Sequence, residues 1–382
     1  MNYRPGDIDS RRLIKLHKEY ISDISSTNYP GVYPDEDNSW DLVDFKKHVK
    51  LEFQYVEEER IEFDLVGIDT SIANAFRRII ISEVPTVAIE RVYVYDNTSV
   101  IQDEVLSHRL GLIPLRIDPR MLEDAPQNYQ DDSTDRNTMV FSLDVTCADR
   151  DGVRPGTTDP EKLYINSSVY AKDLQWVPQG EQETIFASDP PRAANPNILI
   201  AKLRPEQSIH LEMHAVKSIG RDHTKFSPVG TAFYRLMPHI QLLKPGDRYD
   251  EESRKVDKLE MADQEQAKRF QDAFSEGVIE VKKERGKYYV RVKAPRRDNV
   301  TRRILELREF DGMVRLGRVR DWFIYTIEST GQYPAVDIFP VALGVFKSKI
   351  RTLKAEAEKL RREWEGSREE RSPDPDKDVE ME

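Results

Sequence analysis

Seven apolar residues in the C-terminal part of the chain recur at alternating intervals of three and four positions. They are Leu343, Phe346, Ile350, Leu353, Ala357, Leu360 and Trp364. This spacing predicts a long α-helix with one apolar seam of the heptad type, which Pro340 either kinks or begins. The seam needs a second surface to cover it, either the sheet of its own domain or a helix of another protein. The spacing alone leaves both possibilities open.

A second apolar helix is predicted over residues 71–84. Asp69, Thr70 or Ser71 can cap its N-terminus, and Pro85 ends it. Its apolar arc covers roughly half of the helix circumference at about 100° per residue. The members of this arc are Ile72, Ala75, Phe76, Ile79, Ile80 and Val84. Two helices with more apolar surface than one sheet can cover favour burial between two proteins.

The composition argues against several classes of protein. Of the 382 residues, 38% are hydrophobic, which is enough for folded cores, and the net charge of −11 argues against a general phosphate-binding surface. Cys147 is the single cysteine, so this chain alone cannot build a disulfide, a four-cysteine zinc site or a thiolate-held iron–sulfur cluster. No stretch resembles a secretory signal or reaches the length of a bilayer. We therefore expect a protein of a reducing compartment, the cytosol or the nucleus.

Strand-like runs alternate with polar segments along the chain. Period-two alternation in residues 59–67 and 208–216 is typical of half-buried strands, and the loops between such runs suit a small β-rich domain. Pro, Gly, Asn and Asp predict a flexible arm over residues 1–45. The charged residues 244–268 predict a mobile insertion, and residues 367–382 predict a disordered acidic tail.

One long segment carries a resemblance to a known family. Residues 74–115, NAFRRIIISEVPTVAIERVYVYDNTSVIQDEVLSHRLGLIPL, resemble the segment shared by the α subunit of bacterial RNA polymerase, the D subunit of archaeal polymerase and the α-like subunits of eukaryotic polymerases. Residues 219–238 and 316–329 look closest to the larger α-like subunits shared by RNA polymerases I and III. The resemblance covers about residues 45–362.

The resemblance implies an α+β fold in which an antiparallel sheet and two interface helices form a discontinuous dimerisation domain. This domain is expected at residues 46–90 and 226–366, interrupted by a β-rich inserted domain at residues 91–225. The implied role is that of a non-catalytic assembly subunit of DNA-directed RNA polymerases I and III, which make the ribosomal RNA precursor, 5S rRNA and tRNA. Such a subunit pairs with a smaller α-like subunit in the nucleus, in nucleolus and nucleoplasm. The pair docks the second-largest and largest polymerase subunits.

The resemblance also assigns residues to two contact surfaces. The interface with the smaller α-like subunit is expected at Ile72, Phe76, Ile79, Ile80, Phe346, Ile350, Leu353, Ala357 and Leu360. Docking of the large subunits is expected at Arg77, Arg78, His108, Arg109, Gly111 and Pro114. Guanidinium groups can make bidentate contacts to carboxylates of another chain, whereas a solvated arginine pair is the ordinary interpretation without the resemblance.

No metal and no other cofactor are predicted. Relatives in the family carry a cysteine cluster for zinc or iron–sulfur in the inserted domain, whereas this chain offers Cys147 alone. The other candidate ligands are His210, His214 and His223, but two residues four apart on a strand lie about 13 Å apart, too far for one ion.

Two alternative functions stay open at this point. The chain could be the α-like subunit of a single polymerase such as polymerase II, or it could bind nucleic acid through the basic residues 285–320. An enzyme is disfavoured because the sequence has no glycine-rich phosphate loop, no GxSxG elbow and no HExxH pattern. No direct sequence-specific nucleic-acid contact and no membrane contact are expected.

Overall fold

The structure is a computed structural model that describes residues 8–24, 39–125, 133–152, 156, 158–246 and 253–369. Within these ranges the chain forms helices together with antiparallel sheets, so the predicted α+β class is confirmed. Across the same ranges, the helices fall short of the length and apolarity that a bilayer span requires. The predicted acidic tail lies outside the described residues from position 370 onward.

The helices and strands of the described residues are as follows. The α-helices are α1 (Leu42–His48), α2 (Thr70–Ser82), α3 (Asp103–Gly111), α4 (Pro160–Leu163), α5 (Gln182–Ile185), α6 (Gln264–Asp272), α7 (Arg303–Glu306) and α8 (Ala335–Glu369). The strands are β1 (Leu13–Leu16), β2 (Ile21–Ser22), β3 (Lys50–Val56), β4 (Arg60–Val66), β5 (Pro85–Asn97), β6 (Leu115–Arg116), β7 (Thr138–Thr146), β8 (Ala148–Asp149), β9 (Tyr164–Ile165), β10 (Ser168–Tyr170), β11 (Gln175–Val177), β12 (Arg192–Ala193), β13 (Leu199–Lys202), β14 (Ser208–Ile219), β15 (Val229–Leu243), β16 (Lys255–Val256), β17 (Lys258–Met261), β18 (Ile279–Glu284), β19 (Lys287–Val292) and β20 (Val314–Ser329). Short 3-10 helices lie at Ser10–Arg12, Pro119–Met121, Ala171–Asp173, Thr224–Phe226, Pro295–Arg297 and Arg308–Phe310.

The chain divides into two compact units, each built from separate segments of sequence. The first unit comprises Met1–Val56, Arg60–Arg77 and Ala232–Ile327, and the second comprises Glu57–Glu59, Arg78–Thr231 and Glu328–Glu382. The domain boundaries expected after residues 90 and 225 fall inside β5 and inside the 3-10 helix Thr224–Phe226, respectively.

The first unit is organised around a seven-stranded sheet. Its order is β16-β15-β20-β1-β2, and β4 pairs with both β20 and β3. A separate three-stranded antiparallel sheet, β17-β19-β18, packs on α6. Phe270 of α6 is fully buried in that core, edge-on to Phe310 with ring centroids 5.1 Å apart.

Two predictions of flexibility are wrong for parts of the first unit. Within the expected N-terminal arm, β1 pairs with β20 and β2 pairs with β1, and Leu13 and Leu16 are buried. Within the expected mobile insertion 244–268, the described residues form β16, β17 and the start of α6. Both segments look polar in sequence because each places only a few apolar side chains into the core, such as Leu259 and Met261.

The second unit contains a four-stranded antiparallel sheet in the order β11-β7-β14-β5. The alternation predicted for residues 208–216 is confirmed, because Ile209, Leu211, Met213 and Ala215 of β14 are all buried. Leu106 and Leu110 of α3 pack into the same core. This core positions the loop that follows α3.

The strand predicted in residues 59–67 is confirmed as β4, but both of its faces are covered. Ile61, Phe63 and Leu65 are buried as the alternation predicts, and Asp64 on the opposite face is also buried. Arg296 explains this difference, because its guanidinium binds the Asp64 carboxylate. An ion pair between residues so distant in sequence leaves no local pattern from which to predict it.

His239 on β15 makes the stability of the first unit depend on pH. Burial, assisted by the positive charges of Lys255 and Arg315, lowers the pKa of His239 to about 4. Gly317 lies beside the ring. A Cβ added at Gly317 would be 3.8 Å from His239 Cδ2 and 2.8 Å from the Ile14 carbonyl oxygen. The folded chain therefore holds His239 neutral at pH values where the unfolded chain protonates it.

Because of His239, we expect the free energy of unfolding to fall by about 2 kcal/mol when the pH is lowered from about 7 to about 5. The sign follows because a lowered folded pKa makes the unfolded state bind more protons as the pH falls through the usual value near 6.5. His239→Gln should remove this part of the slope in urea unfolding measured across that pH window. Identical slopes for the two proteins would contradict the prediction.

Candidate subunit interface

The long helix α8 carries an exposed apolar stripe. Its first turns are buried through Ala335, Ile338, Phe339 and Ala342. Beyond them, the exposed fractions of the seam residues are 41% for Leu343, 49% for Ile350, 70% for Leu353, 64% for Leu360 and 57% for Trp364. Phe346 is half-buried and Ala357 is exposed. At about 1.5 Å of rise per residue, the stripe runs for about 32 Å along the helix.

Hydrogen bonds and an ion pair hold the first half of α8 within the second unit. The Tyr333 hydroxyl donates to the Pro85 carbonyl oxygen at 2.7 Å, and the Ser329 hydroxyl donates to the Tyr333 carbonyl oxygen at 2.6 Å. Farther along, Lys349 Nζ donates to both carboxylate oxygens of Glu83, at 2.7 and 2.6 Å. Burial raises the pKa of Tyr333 above its usual value near 10, so its hydroxyl stays protonated at alkaline as well as neutral pH. Pro340 lies inside the helix, which begins at Ala335, so of the two predicted alternatives Pro340 does not begin the helix.

Helix α2 contributes less exposed apolar surface than its sequence suggests. Asp69 Oδ1 accepts hydrogen bonds from the Ser71 backbone N–H at 2.9 Å and the Ser71 hydroxyl at 2.7 Å, so the capping prediction is confirmed. Of the α2 residues expected at the interface, Phe76, Ile79 and Ile80 are buried and Ile72 is half-buried. The chain's own fold thus covers most of the apolar arc, and the accessible part of the expected interface lies on α8.

The two arginines of α2 differ in their surroundings: one side chain contacts a neighbouring residue, and the other is exposed to solvent. Arg77 is half-buried, and its Nε and Nη2 donate to Asn74 Oδ1 at 3.1 and 2.9 Å. Arg78 is exposed. Its guanidinium is therefore the more accessible of the two for a contact with another protein.

The segment HRLGLIPL forms the end of α3 and the loop after it. Arg109 donates from Nη2 to the Leu199 carbonyl oxygen at 2.7 Å and from Nε to the Ile200 carbonyl oxygen at 3.1 Å. Gly111 is buried, and a Cβ at this position would be 3.4 Å from the Ile89 carbonyl oxygen. Arg109 and Gly111 thus help to hold the loop in place within the unit, and docking of the large subunits at these residues stays a prediction.

His108 and Pro114 complete this segment. The Pro114 carbonyl oxygen accepts a hydrogen bond from the Ala194 N–H at 2.8 Å. His108 is exposed and lines a small cavity of about 230 Å³ with His223 and Lys225. Among the expected docking residues of this segment, His108 and Arg109 are exposed, Pro114 is half-buried and Gly111 is buried.

Lys225 lines the same cavity and was not among the residues singled out from the sequence. Its side chain is mostly buried, its Nζ donates to the Ile89 carbonyl oxygen at 2.8 Å, and it forms an ion pair with Glu90. His223 Nδ1 accepts from the Lys225 backbone N–H at 3.1 Å. A lone lysine before an aromatic residue in sequence gives no signal of this role.

Two of the three histidines considered as metal ligands, His210 and His214, contact a carboxylate and a tyrosine each. His214 Nε2 lies 2.9 Å from Glu212 Oε1, and its ring packs edge-on against Tyr93. His210 lies 3.6 Å from an Asp144 oxygen. Within the described ranges, no three or more His, Cys, Asp or Glu side chains are grouped so that they could hold a metal ion.

Several basic side chains of the segment considered for nucleic acid are engaged within the chain. Arg296 binds Glu62 and Asp64, and Lys287 pairs with Glu260 at 2.6 Å. Arg320 Nη2 donates to the Asp23 carbonyl oxygen at 2.5 Å. These contacts reduce the positive charge that the segment can offer to phosphates.

Comparison with known proteins establishes the family. The model of the RNA polymerase Rpb3/Rpb11 dimerisation domain matches residues 62–350. The chain belongs to this family of RNA polymerase subunits. It is 45% identical over 344 residues to the DNA-directed RNA polymerases I and III subunit RPAC1 of Saccharomyces cerevisiae, covering 90% of this chain and 97% of the yeast protein. It is 41% identical over 343 residues to human RPAC1, covering 90% and 94%.

A more distant relative has a different assignment. The DNA-directed RNA polymerases II, IV and V subunit 3 of Arabidopsis thaliana is 30% identical over 311 residues, covering 80% of this chain and 90% of that protein. The higher identities with the subunits of polymerases I and III agree with the resemblance noted in residues 219–238 and 316–329. Membership of the family implies partnership with other RNA polymerase subunits through a dimerisation domain.

Proposed function

We propose that this protein is the non-catalytic assembly subunit shared by DNA-directed RNA polymerases I and III in the nucleus. It forms a heterodimer with a smaller α-like subunit, and the heterodimer is the platform that docks the two large catalytic subunits. Its action is to bury apolar surface and to position its partners. The relatives named RPAC1, which match along nearly their whole length, support the assignment to both polymerases.

The observation that carries the proposal is the exposed stripe of α8 in a chain that matches a dimerisation domain. More than half of the surface of Leu353 and of Leu360 is exposed. Removing apolar surface from water is favourable by about 25 cal/mol per Å². A partner helix packed along a heptad seam removes this surface from water. The dimerisation domain we propose comprises residues 46–90 and 226–366, with residues 91–225 as the inserted domain.

Affinity purification of the tagged protein from its own nuclei tests the proposal. We expect the largest subunits of both polymerases I and III, together with one small α-like protein, in the mass spectrum of the retained proteins. Recovery of one polymerase only would support the assembly role but would assign the protein to that polymerase alone. Recovery of neither would overturn the proposal and favour the alternative function, nucleic-acid binding through the basic residues 285–320.

The exposed stripe predicts the behaviour of the isolated chain. Expressed alone, the protein should aggregate, because a contiguous apolar surface of this length associates nonspecifically in water. Co-expression with the small α-like subunit should give a soluble 1:1 complex in size-exclusion chromatography with light scattering. A well-behaved monomer with a cooperative unfolding transition would contradict this expectation.

The arginine pair of α2 should serve the large subunits rather than the heterodimer. Arg77→Ala combined with Arg78→Ala should weaken capture of the second-largest subunit by about tenfold, because two guanidinium contacts are lost. Heterodimer formation should be unchanged in the same preparations. Equal loss of both complexes in a pull-down titration would show that this division of surfaces is wrong.

A further inference from the structure

The exposed stripe of α8 is bordered along one side by basic residues. Lys347, Lys354 and Arg361 are seven positions apart in sequence, and each directly follows a residue of the apolar seam. All three are exposed. When two helices pack along such seams, these positions lie at the edge of the contact, where their side chains meet those of the partner helix. We call these three residues the basic flank.

The opposite border of the stripe differs in charge. It carries Lys349, Glu356 and Glu363, each of which directly precedes a seam residue. Lys349 already forms an ion pair within the second unit, because its Nζ donates to both carboxylate oxygens of Glu83. The stripe therefore offers a partner one uniformly positive border and one border of mixed charge.

The charges of the basic flank stay available to a partner. Across the described residues, Lys347 takes part in no ion pair. Lys354 and Arg361 have contacts one helical turn away, to Glu358 at 3.9 Å and to Glu365 at 3.5 Å, and their own side chains remain 76% and 71% exposed. Exposed ion pairs of this kind contribute little to stability. Both glutamates lie farther round the helix from the seam, so a partner's carboxylate beside the seam can still reach these cations.

We propose that the helix which packs on this stripe carries acidic side chains along the border that faces the basic flank. The inference rests on the function proposed above, in which that helix belongs to the smaller α-like subunit, and it adds the chemistry by which this partner is selected. Apolar burial along the seam supplies most of the binding free energy. Charges beside the seam set partner choice and orientation.

A second copy of this chain is a poorer occupant of the stripe. In an antiparallel pair of α8 helices, the basic flank of one copy would lie against the basic flank of the other. In a parallel pair, Lys349 of one copy would lie beside Lys354 of the other. Each arrangement of two copies thus brings like charges together, which disfavours the pair. The charge pattern favours a different protein, one with carboxylates on the matching border.

Neutralising the basic flank tests the inference in the heterodimer. Lys347→Gln combined with Lys354→Gln and Arg361→Gln removes three positive charges and keeps residues that favour a helix. The full-length chain is co-expressed with the small α-like subunit, and dissociation on dilution is followed by the fluorescence anisotropy of a dye on the small subunit. We expect the variant to bind about fivefold or more weakly at about 0.05 M NaCl, and to differ by less than about twofold at about 0.5 M NaCl, because salt screens exposed charges.

A matched control separates the basic flank from general charge effects. Arg351→Gln combined with Lys359→Gln and Arg362→Gln removes three positive charges from exposed positions of the same helix that do not border the seam, so the affinity should be unchanged. Equal weakening by the two triple variants, no weakening by either, or a defect of the basic-flank variant that persists at high salt would overturn the inference and leave the heterodimer in place. Failure of the unmodified chains to associate would overturn the proposed function as well.

Carbodiimide cross-linking of the purified heterodimer locates the partner's carboxylates directly. The reagent joins a lysine amine to a carboxylate that lies in contact with it, with loss of water. Mass spectrometry should show Lys347 and Lys354 joined to Asp or Glu residues of the small subunit. Cross-links of these lysines to carboxylates of α8 alone, whether in the same chain or in a second copy, would overturn the inference.

Discussion

Ile350→Asp combined with Leu353→Asp should abolish the heterodimer with the small α-like subunit. Both side chains are exposed in the chain itself, at 49% and 70%, so replacing them leaves its own core intact. In the complex, each substitution would bury an unpaired carboxylate against an apolar partner surface. The expected cost is about 3 kcal/mol or more for each of the two substitutions, and each such cost corresponds to an increase of about two orders of magnitude in Kd.

Thr352→Asp is the matched control for this experiment. Thr352 is exposed on the same helix and lies off the seam, and its substitution adds one carboxylate where the seam variant adds two. Co-purification of differently tagged subunits should therefore retain the small subunit with the control and lose it with the seam variant. Equal retention would show that α8 is not the heterodimer surface, even if the protein is a polymerase subunit.

Local sequence patterns predict those elements that depend on contacts between residues close together in the sequence. The capping of α2 by Asp69 and the alternation of β14 follow from rules that involve only a few consecutive residues. The resemblance in residues 74–115 adds the family, which the comparison confirms. What these signals share is that the deciding contacts are local, or that a long stretch of sequence is similar to known proteins.

Contacts between distant segments account for what the sequence did not predict. The strands β1 and β2 are short; β1 is ordered by pairing with β20 some 300 residues later, and β2 by pairing with β1. Phe76, Ile79 and Ile80 look like surplus apolar surface in a helical projection, but the chain's own fold buries them. A periodic pattern identifies an apolar face; it does not identify the chain that covers that face.

The buried ion pair of β4 is the contact whose loss should most destabilise the chain itself. Arg296 donates from Nε to Glu62 Oε1 at 3.0 Å and from Nη1 to Asp64 Oδ1. The Asp64 side chain is 4% exposed and that of Arg296 is 22% exposed. Burial alone would lower the pKa of Arg296, but its hydrogen bonds with Asp64 and Glu62 outweigh burial and raise it.

Arg296→Met should lower the free energy of unfolding by about 4 kcal/mol, because it leaves the Asp64 carboxylate buried without its main partner. Arg297→Met is the control, since Arg297 is exposed on the adjacent position, and it should change stability by less than about 0.5 kcal/mol. The measurement is urea unfolding of the purified heterodimer at a fixed protein concentration.

A double-mutant cycle separates the ion pair from the packing of the Arg296 side chain. Asp64→Asn keeps the size of the side chain and removes the charge, so Arg296→Met should cost much less in that background. We expect a coupling free energy of about 2 kcal/mol between the two positions. In the Asp64→Asn background, Glu62 still forms an ion pair with Arg296. The coupling free energy should therefore be smaller than the full cost of Arg296→Met alone. Additive effects of the two substitutions would mean that the aliphatic part of Arg296, and not its charge, holds β4 in the core.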